Sequence, residues 1–203
     1  ATTYQQAASA LCRHINQQLH IRYEGARHRY FSNGRFDLTR LLAEKLSGAT
    51  IQLECSEVSV LMCIYANALG CDLDWVYMIG PQGSRLNYTH ILLIGDASWK
   101  LTGFFRYHMI NFTGSGGVPG VNSLMYDACL QIDNTTDPWS AVAPTVPGLL
   151  PGYTNATQYS TLAAPPALPI PIPYGTMTSY RERILQNTLA DRQTVLTIMP
   201  ITI

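Results

Sequence analysis

The run CSEVSVLMCIYANALG, residues 55–70, restricts the fold of this chain more than any other part of its sequence. It predicts a helix whose apolar side chains fall on almost every face, namely Val58, Val60, Leu61, Met62, Ile64, Tyr65, Ala68 and Leu69. A helix that is apolar all round belongs inside a core. The other elements are therefore expected to surround this helix, which ends at Gly70.

Two more helices are predicted before this one. The first runs from about Thr3 to Leu19, with Thr3 and Gln6 spaced as a capping box. The second, in FDLTRLLAEKLSG, begins after Asp37 as N-cap and closes at Gly48. The segment between them, RYEGARHRYFSNGR, is basic and aromatic and is predicted to be an exposed loop.

The middle of the chain is typical of β-strands. LDWVYMIG and LNYTHILLIGD are two β-runs joined by a Pro-Gly turn, and SWKLTGFFRYHMI is a third. NSLMYDACLQID alternates as a fourth strand and contains one acid, Asp127. These patterns predict an α+β fold with helices packed on an antiparallel sheet of about four strands.

Proline is concentrated near the carboxyl end. Nine of the twelve prolines lie between Pro138 and Pro173, where regular structure is disfavoured. We therefore predict a core at 1–137, followed at 138–203 by a Pro-rich strap and a C-terminal helix packed on the core.

Composition excludes several classes of partner. Lys plus Arg equals Asp plus Glu at 13 each, so no basic excess predicts nucleic acid binding. No apolar run is long enough to cross a bilayer and the first residues lack the order of a signal peptide, so a soluble domain without a membrane partner is expected. Since the chain starts without Met, it is expected to be processed or part of a larger polypeptide, with its compartment unknown.

Five cysteines without a CxxC pair or metal-like spacing predict neither a disulfide scaffold nor a metal or other cofactor. Cys55 differs from the others because it lies at a predicted helix start, where the helix dipole favours a thiolate. Glu54 and Glu57 flank it and oppose that effect, so a reactive thiol at this position requires a cationic partner.

His90 is the candidate partner, because it interrupts the otherwise apolar run THILLIG, whereas His108 lies near a loop. Asp127 lies inside an apolar strand, where an unpaired carboxylate is costly to bury. Together they predict a nucleophile, a general base and an orienting acid. The alternatives are that His90 is an ordinary core histidine and that Asp127 pairs with an arginine such as Arg106.

The segments LECSEVSVLMCIYANALG, YTHILLIGDASW and YDACLQID resemble the transglutaminase-like cysteine enzymes of the wider papain-like group. The resemblance implies Cys55 as nucleophile, His90 as base and Asp127 as acid. Asp96 is a rival acid, because the family's acid usually follows soon after a tryptophan-bearing hairpin. The resemblance also implies an oxyanion donor beside the backbone N–H of Cys55, for which Gln52 and Trp75 are candidates.

The expected function is cysteine-dependent acyl transfer of the protease, deamidase or transglutaminase type, on a carboxamide or peptide bond of a protein or peptide substrate. Delivery as part of a larger protein would suit an effector or toxin. The alternative is a non-catalytic binding or structural domain whose Pro-rich segment engages a partner. A third possibility is that the strap covers the cleft and inhibits the site.

Overall fold

The computed structural model describes residues 3–78, 85–114 and 124–132, which form a mixed α+β arrangement. Its helices are α1 (Tyr4–Gln17), α2 (Leu38–Leu46) and α3 (Cys55–Ala68). Its strands are β1 (Ile21–Tyr23), β2 (Phe31–Ser32), β3 (Arg35–Phe36), β4 (Ile51–Leu53), β5 (Leu73–Met78), β6 (Leu86–Leu93), β7 (Lys100–Phe105), β8 (His108–Thr113), β9 (Met125–Tyr126) and β10 (Leu130–Ile132). The predicted boundary at residue 137 and the Pro-rich strap lie outside the described residues.

The helices begin and end where local sequence signals predict. The Thr3 hydroxyl accepts the Gln6 N–H at 3.1 Å, and the Asp37 carboxylate accepts the Arg40 N–H at 2.9 Å. Gly48 follows α2 with a left-handed φ of +80°. The central helix α3 is buried along most of its length, as its apolar faces predict. Within the described ranges, none of the helices is long and apolar enough to cross a membrane.

The strands form several small sheets, where the sequence predicted one antiparallel sheet of about four strands. The orders are β5-β8-β9 and β10-β6-β7, both antiparallel, together with the hairpin β2-β3 and the parallel pair β1-β4. The two runs that the Pro-Gly turn was predicted to join as an antiparallel pair are β5 and β6; this pairing is wrong, because β5 pairs with β8 and β6 pairs with β7 and β10. The third predicted run breaks at residues 106–107 into β7 and β8, which belong to different sheets.

The segment predicted to be an exposed loop between α1 and α2 contributes to the core. Its first two residues, Arg22 and Tyr23, belong to β1, which pairs in parallel with β4 just before α3. Tyr30, in the middle of the segment, is 2% exposed. The prediction failed because a parallel pair joins strands that are distant in sequence, and no local pattern marks such a partner.

Helix α3 is fixed against β8 by hydrogen bonds from buried polar groups. The Ser59 hydroxyl donates to the carbonyl of Met109 at 2.8 Å, and the Asn111 amide donates to the carbonyl of Ser59 at 2.9 Å. Residues four apart lie on the same face of a helix, so Cys55 is one turn before Ser59 on the face toward β8. This packing brings the start of α3 to the start of β8.

Gly95 is expected to be intolerant of substitution because it packs against the backbone of β1. Its φ is +76°, and a Cβ at this position would lie 2.8 Å from the Cα of Arg22 and still closer to the carbonyl oxygen of Ile21. Gly95→Ala should lower the free energy of unfolding by roughly 3 kcal/mol, measured by urea denaturation. Gly34→Ala is the matched control, with a φ of +74° and open space around its Cβ, and should cost about 1 kcal/mol. Equal losses in the two variants would contradict the proposed contact.

Candidate active site

Cys55 is the first residue of α3, as predicted, and its side chain borders a pocket of about 420 Å³. The same pocket is lined by Tyr23, Glu54 and Tyr107, among others. The backbone N–H of Cys55 lies in the first turn, where N–H groups have no acceptor within the helix. A thiol at this position is therefore next to an N–H that needs no acceptor within the helix and to the positive end of the helix dipole.

A buried ion pair lies at the start of β8. His108 Nε2 is 2.6 Å from Asp127 Oδ2, and both side chains are almost fully buried. The other oxygen of Asp127 accepts the backbone N–H of Cys129 at 2.8 Å. The His108 ring stacks on Phe105, with centroids 4.7 Å apart and planes 19° from parallel. These contacts fix the orientation of the imidazole.

The sheet register explains why His108 and Asp127 meet. Asn111 on β8 lies opposite Tyr126 on β9 in an antiparallel pair. Continuing this register places Asp127 opposite Ile110, so His108 is its diagonal neighbour two residues along. Diagonal neighbours on one face are within reach of long side chains.

Cys55 lies near the imidazole, because its side chain contributes to the pKa of His108, although His108 Nδ1 has no hydrogen-bond partner among the described residues. The Cys55 sulfur is 4.0 Å from the carbonyl oxygen of Tyr107, the residue before His108. Burial by itself lowers the pKa of His108. The charge and hydrogen bond of Asp127, together with the Cys55 side chain, outweigh burial and raise this pKa to about 10. Since Nε2 is held by Asp127, the remaining nitrogen, Nδ1, is the one available to the sulfur.

The two glutamates beside Cys55 are both occupied by donors. Glu54 accepts the Tyr107 hydroxyl at 2.8 and 3.1 Å, and His28 Nδ1 lies 2.9 Å from it. Ser56 also donates its hydroxyl to Glu54. Glu57 accepts backbone N–H groups from residues 29–31. These donors offset the carboxylate charges that the sequence suggested would oppose a thiolate.

The histidine that contacts Asp127 in the structure differs from the one that the sequence predicts as the base. His108 contacts Asp127, whereas His90 lies in β6 of another sheet, and its side chain is outside the described residues. A catalytic role for His90 therefore stays a prediction. The rival acid Asp96 lies in the turn after β6 and pairs with Lys100 at 3.1 Å.

The two oxyanion candidates from the sequence line other cavities. Gln52 accepts the Arg29 guanidinium at 3.3 Å and lines a cavity with His28. Trp75 lines a separate, mainly apolar cavity beside Val60. Neither side chain borders the pocket at Cys55, so the structure offers no support for either as a donor there.

The other four cysteines are buried thiols with raised pKa values. Burial is the main cause for Cys12, Cys63, Cys71 and Cys129, and the Asp127 charge adds to it for Cys12 and Cys129. The pKa of Cys63 is about 12. These four are therefore expected to be protonated at neutral pH and to react slowly.

Comparison of the chain with protein-family profiles, with curated proteins and with solved structures finds no match in any of the three. Within the described ranges, no group of three His, Cys, Asp or Glu side chains is placed to hold a metal ion. The geometry of the site is therefore the basis for a functional assignment.

Proposed function

We propose that this protein is a cysteine-dependent acyl-transfer enzyme with a transglutaminase-like core, acting on a carboxamide or peptide bond through a thioester. The observation that supports the proposal is the buried His108–Asp127 pair, which lies beside a thiol at the start of α3 whose sulfur is 4.0 Å from the carbonyl oxygen of Tyr107, the residue before His108. Nucleophile, base and acid follow one another in the chain in the order that the resemblance implies, with His108 in the place first predicted for His90.

In the proposed reaction the resting site holds a Cys55 thiolate and a His108 imidazolium. The raised pKa of His108 supports this state, because an imidazolium in a buried site is stabilised by neighbouring negative charge. The helix dipole acts on the sulfur in the same direction. Asp127 orients the ring and stabilises its charge.

The covalent step forms a bond between the sulfur and the carbonyl carbon, and the π electrons of the C=O bond move to oxygen. When the C=O bond forms again, the C–N bond breaks and the amine leaves with the proton from His108. Water or a second amine then attacks the thioester and gives its proton to His108, and when the C=O bond forms again the C–S bond breaks, which releases the acyl product and restores the thiolate. Proteolysis, deamidation and transamidation share these steps and differ in the acyl group and the acceptor.

Alkylation of the full chain by iodoacetamide tests the proposal. We expect Cys55 to react fast at pH 6, where an ordinary thiol with a pKa of about 8.5 is almost fully protonated. The rate should change little up to pH 9, because His108 keeps its proton until about pH 10. Peptide mass spectrometry would assign the modified cysteine.

Two variants complete this test. Cys55→Ala should abolish the fast phase, and Cys71→Ala, which removes a thiol elsewhere, should leave it unchanged. Uniform slow labelling of all five cysteines would instead favour the non-catalytic binding domain.

A further inference from the structure

Tyr23 is a polar side chain of the pocket to which the mechanism above gives no role. It lines the pocket together with Cys55. In the parallel pair of β1 and β4 it lies beside Leu53, two residues before the nucleophile. The register of this pair therefore fixes the backbone of Tyr23 next to the start of α3.

The position of Tyr23 is held from several directions. Its N–H donates to the carbonyl of Ile94 at 2.9 Å, and the next N–H, that of Glu24, donates to the carbonyl of Leu53 at 2.9 Å. Gly25 lies against the ring, and a Cβ there would be 3.1 Å from Tyr23 Cε1. The ring is partly buried and packs against apolar core residues, which restricts its side-chain freedom before a substrate binds.

The surroundings of Tyr23 keep its hydroxyl protonated. Burial raises the pKa of Tyr23, and the negative charges of Cys55 and Glu54 raise it further. The other hydroxyl near the thiol, that of Tyr107, is bonded to Glu54. The Tyr23 hydroxyl is therefore a hydrogen-bond donor in the pocket of Cys55, and its role in the reaction is still to be assigned.

We propose that the Tyr23 hydroxyl is the side-chain oxyanion donor of this site and acts with the backbone N–H of Cys55. This inference rests on the proposed function. When the sulfur bonds to the carbonyl carbon, the negative charge develops on the carbonyl oxygen, and two donors would then hold it until the C–N bond breaks. Tyr23 takes the role for which the sequence suggested Gln52 or Trp75.

The test compares two reactions of the same thiol in the full chain. Acylation by p-nitrophenyl acetate passes through an oxyanion, whereas alkylation by iodoacetamide does not. Tyr23→Phe should slow acylation by roughly 10²-fold and leave the alkylation rate within about twofold. Tyr65→Phe removes a hydroxyl from α3 outside the pocket and is the matched control, with both rates expected to be unchanged.

Each other outcome has a definite meaning. Unchanged acylation in Tyr23→Phe would show that the hydroxyl is not an oxyanion donor. An equal fall in the acylation and alkylation rates would show an effect on the thiol or the fold, and would likewise overturn the role of Tyr23. The Cys55→Ala variant distinguishes failure of the Tyr23 assignment from failure of the proposed function. If acylation persists without Cys55, the thioester mechanism is wrong; if it disappears while Tyr23→Phe is unaffected, only the donor assignment fails.

Discussion

His108→Asn should slow acylation of Cys55 by p-nitrophenyl acetate roughly 10³-fold, within the range for loss of a general acid–base group. The variant removes the cation beside the sulfur but keeps a polar side chain of similar size next to Asp127. Iodoacetamide alkylation at pH 6 should fall as well, because it depends on the same thiolate. Above pH 9, where hydroxide deprotonates the thiol without help from His108, the difference between variant and parent should shrink.

Parallel variants distinguish the two histidines that were considered for this role. His14→Asn changes an exposed residue of α1 and should leave both rates unchanged. His90→Asn examines the histidine that the sequence predicts. The assignment of the base to His108 is wrong if acylation falls roughly 10³-fold in His90→Asn and stays unchanged in His108→Asn.

Features that depend on local chemistry could be predicted from the sequence. A cap is made by residues three apart, so Thr3 and Asp37 mark the starts of α1 and α2 without knowledge of the fold. The start of α3 follows from the apolar run that begins after Cys55. The acid Asp127 could be selected because its neighbours are apolar and a buried carboxylate requires a partner.

His108 was missed because no turn residue marks the break between β7 and β8. Residues 106–107, Arg-Tyr, are common inside strands, and the break arises because the chain leaves one sheet for another. Five successive residues from His108 to Phe112 are buried, so the two-residue alternation that identifies a half-buried strand is absent. The available signal was that His108 and Asn111 are the two most polar side chains of this buried run.

Tyr23 was missed for a different reason. Its segment contains arginines and aromatics, a composition that favours an exposed loop. Its placement depends on β4, on the far side of α2 in the chain, and on the turn after β6. Sequence patterns of one segment carry no information on such pairings. The proposed base and the proposed oxyanion donor therefore emerge only from tertiary structure, whereas the proposed nucleophile and acid have local signals.

The proposed mechanism places the sulfur of Cys55 beside two carboxylates, Glu54 and Glu57. Glu54 and Glu57 lie in or next to the first helical turn, where the helix dipole favours negative charge. Hydrogen-bond donors surround each carboxylate and partly neutralise its negative charge, which weakens its repulsion of the sulfur. The carboxylates can then organise the loops around the pocket while His108 supplies the cation.

Glu57→Ala should be the most destabilising single substitution near the site. Glu57 is fully buried, and one of its oxygens accepts the backbone N–H groups of Arg29, Tyr30 and Phe31 at 2.6, 2.5 and 3.1 Å. Its other oxygen accepts the N–H of Glu54 at 3.3 Å. Alanine leaves these donors without an acceptor, and we expect a loss of roughly 3 to 5 kcal/mol in the free energy of unfolding, measured by urea denaturation.

Two further variants act as controls. One removes the charge of residue 57 but keeps an acceptor oxygen, and the other removes a carboxylate at a different position. Glu57→Gln keeps one carbonyl oxygen for the three N–H groups of residues 29–31 and should lose about half as much, because neutral acceptors form weaker hydrogen bonds than carboxylates. Glu44→Ala removes a partly exposed carboxylate that pairs with Arg40 and should lose clearly less than Glu57→Ala. If Glu57→Ala is no more destabilising than Glu44→Ala, the three N–H groups do not depend on Glu57. The loop at residues 29–31 would then need another anchor, since Tyr30 is buried and an unsatisfied buried N–H is rarely tolerated.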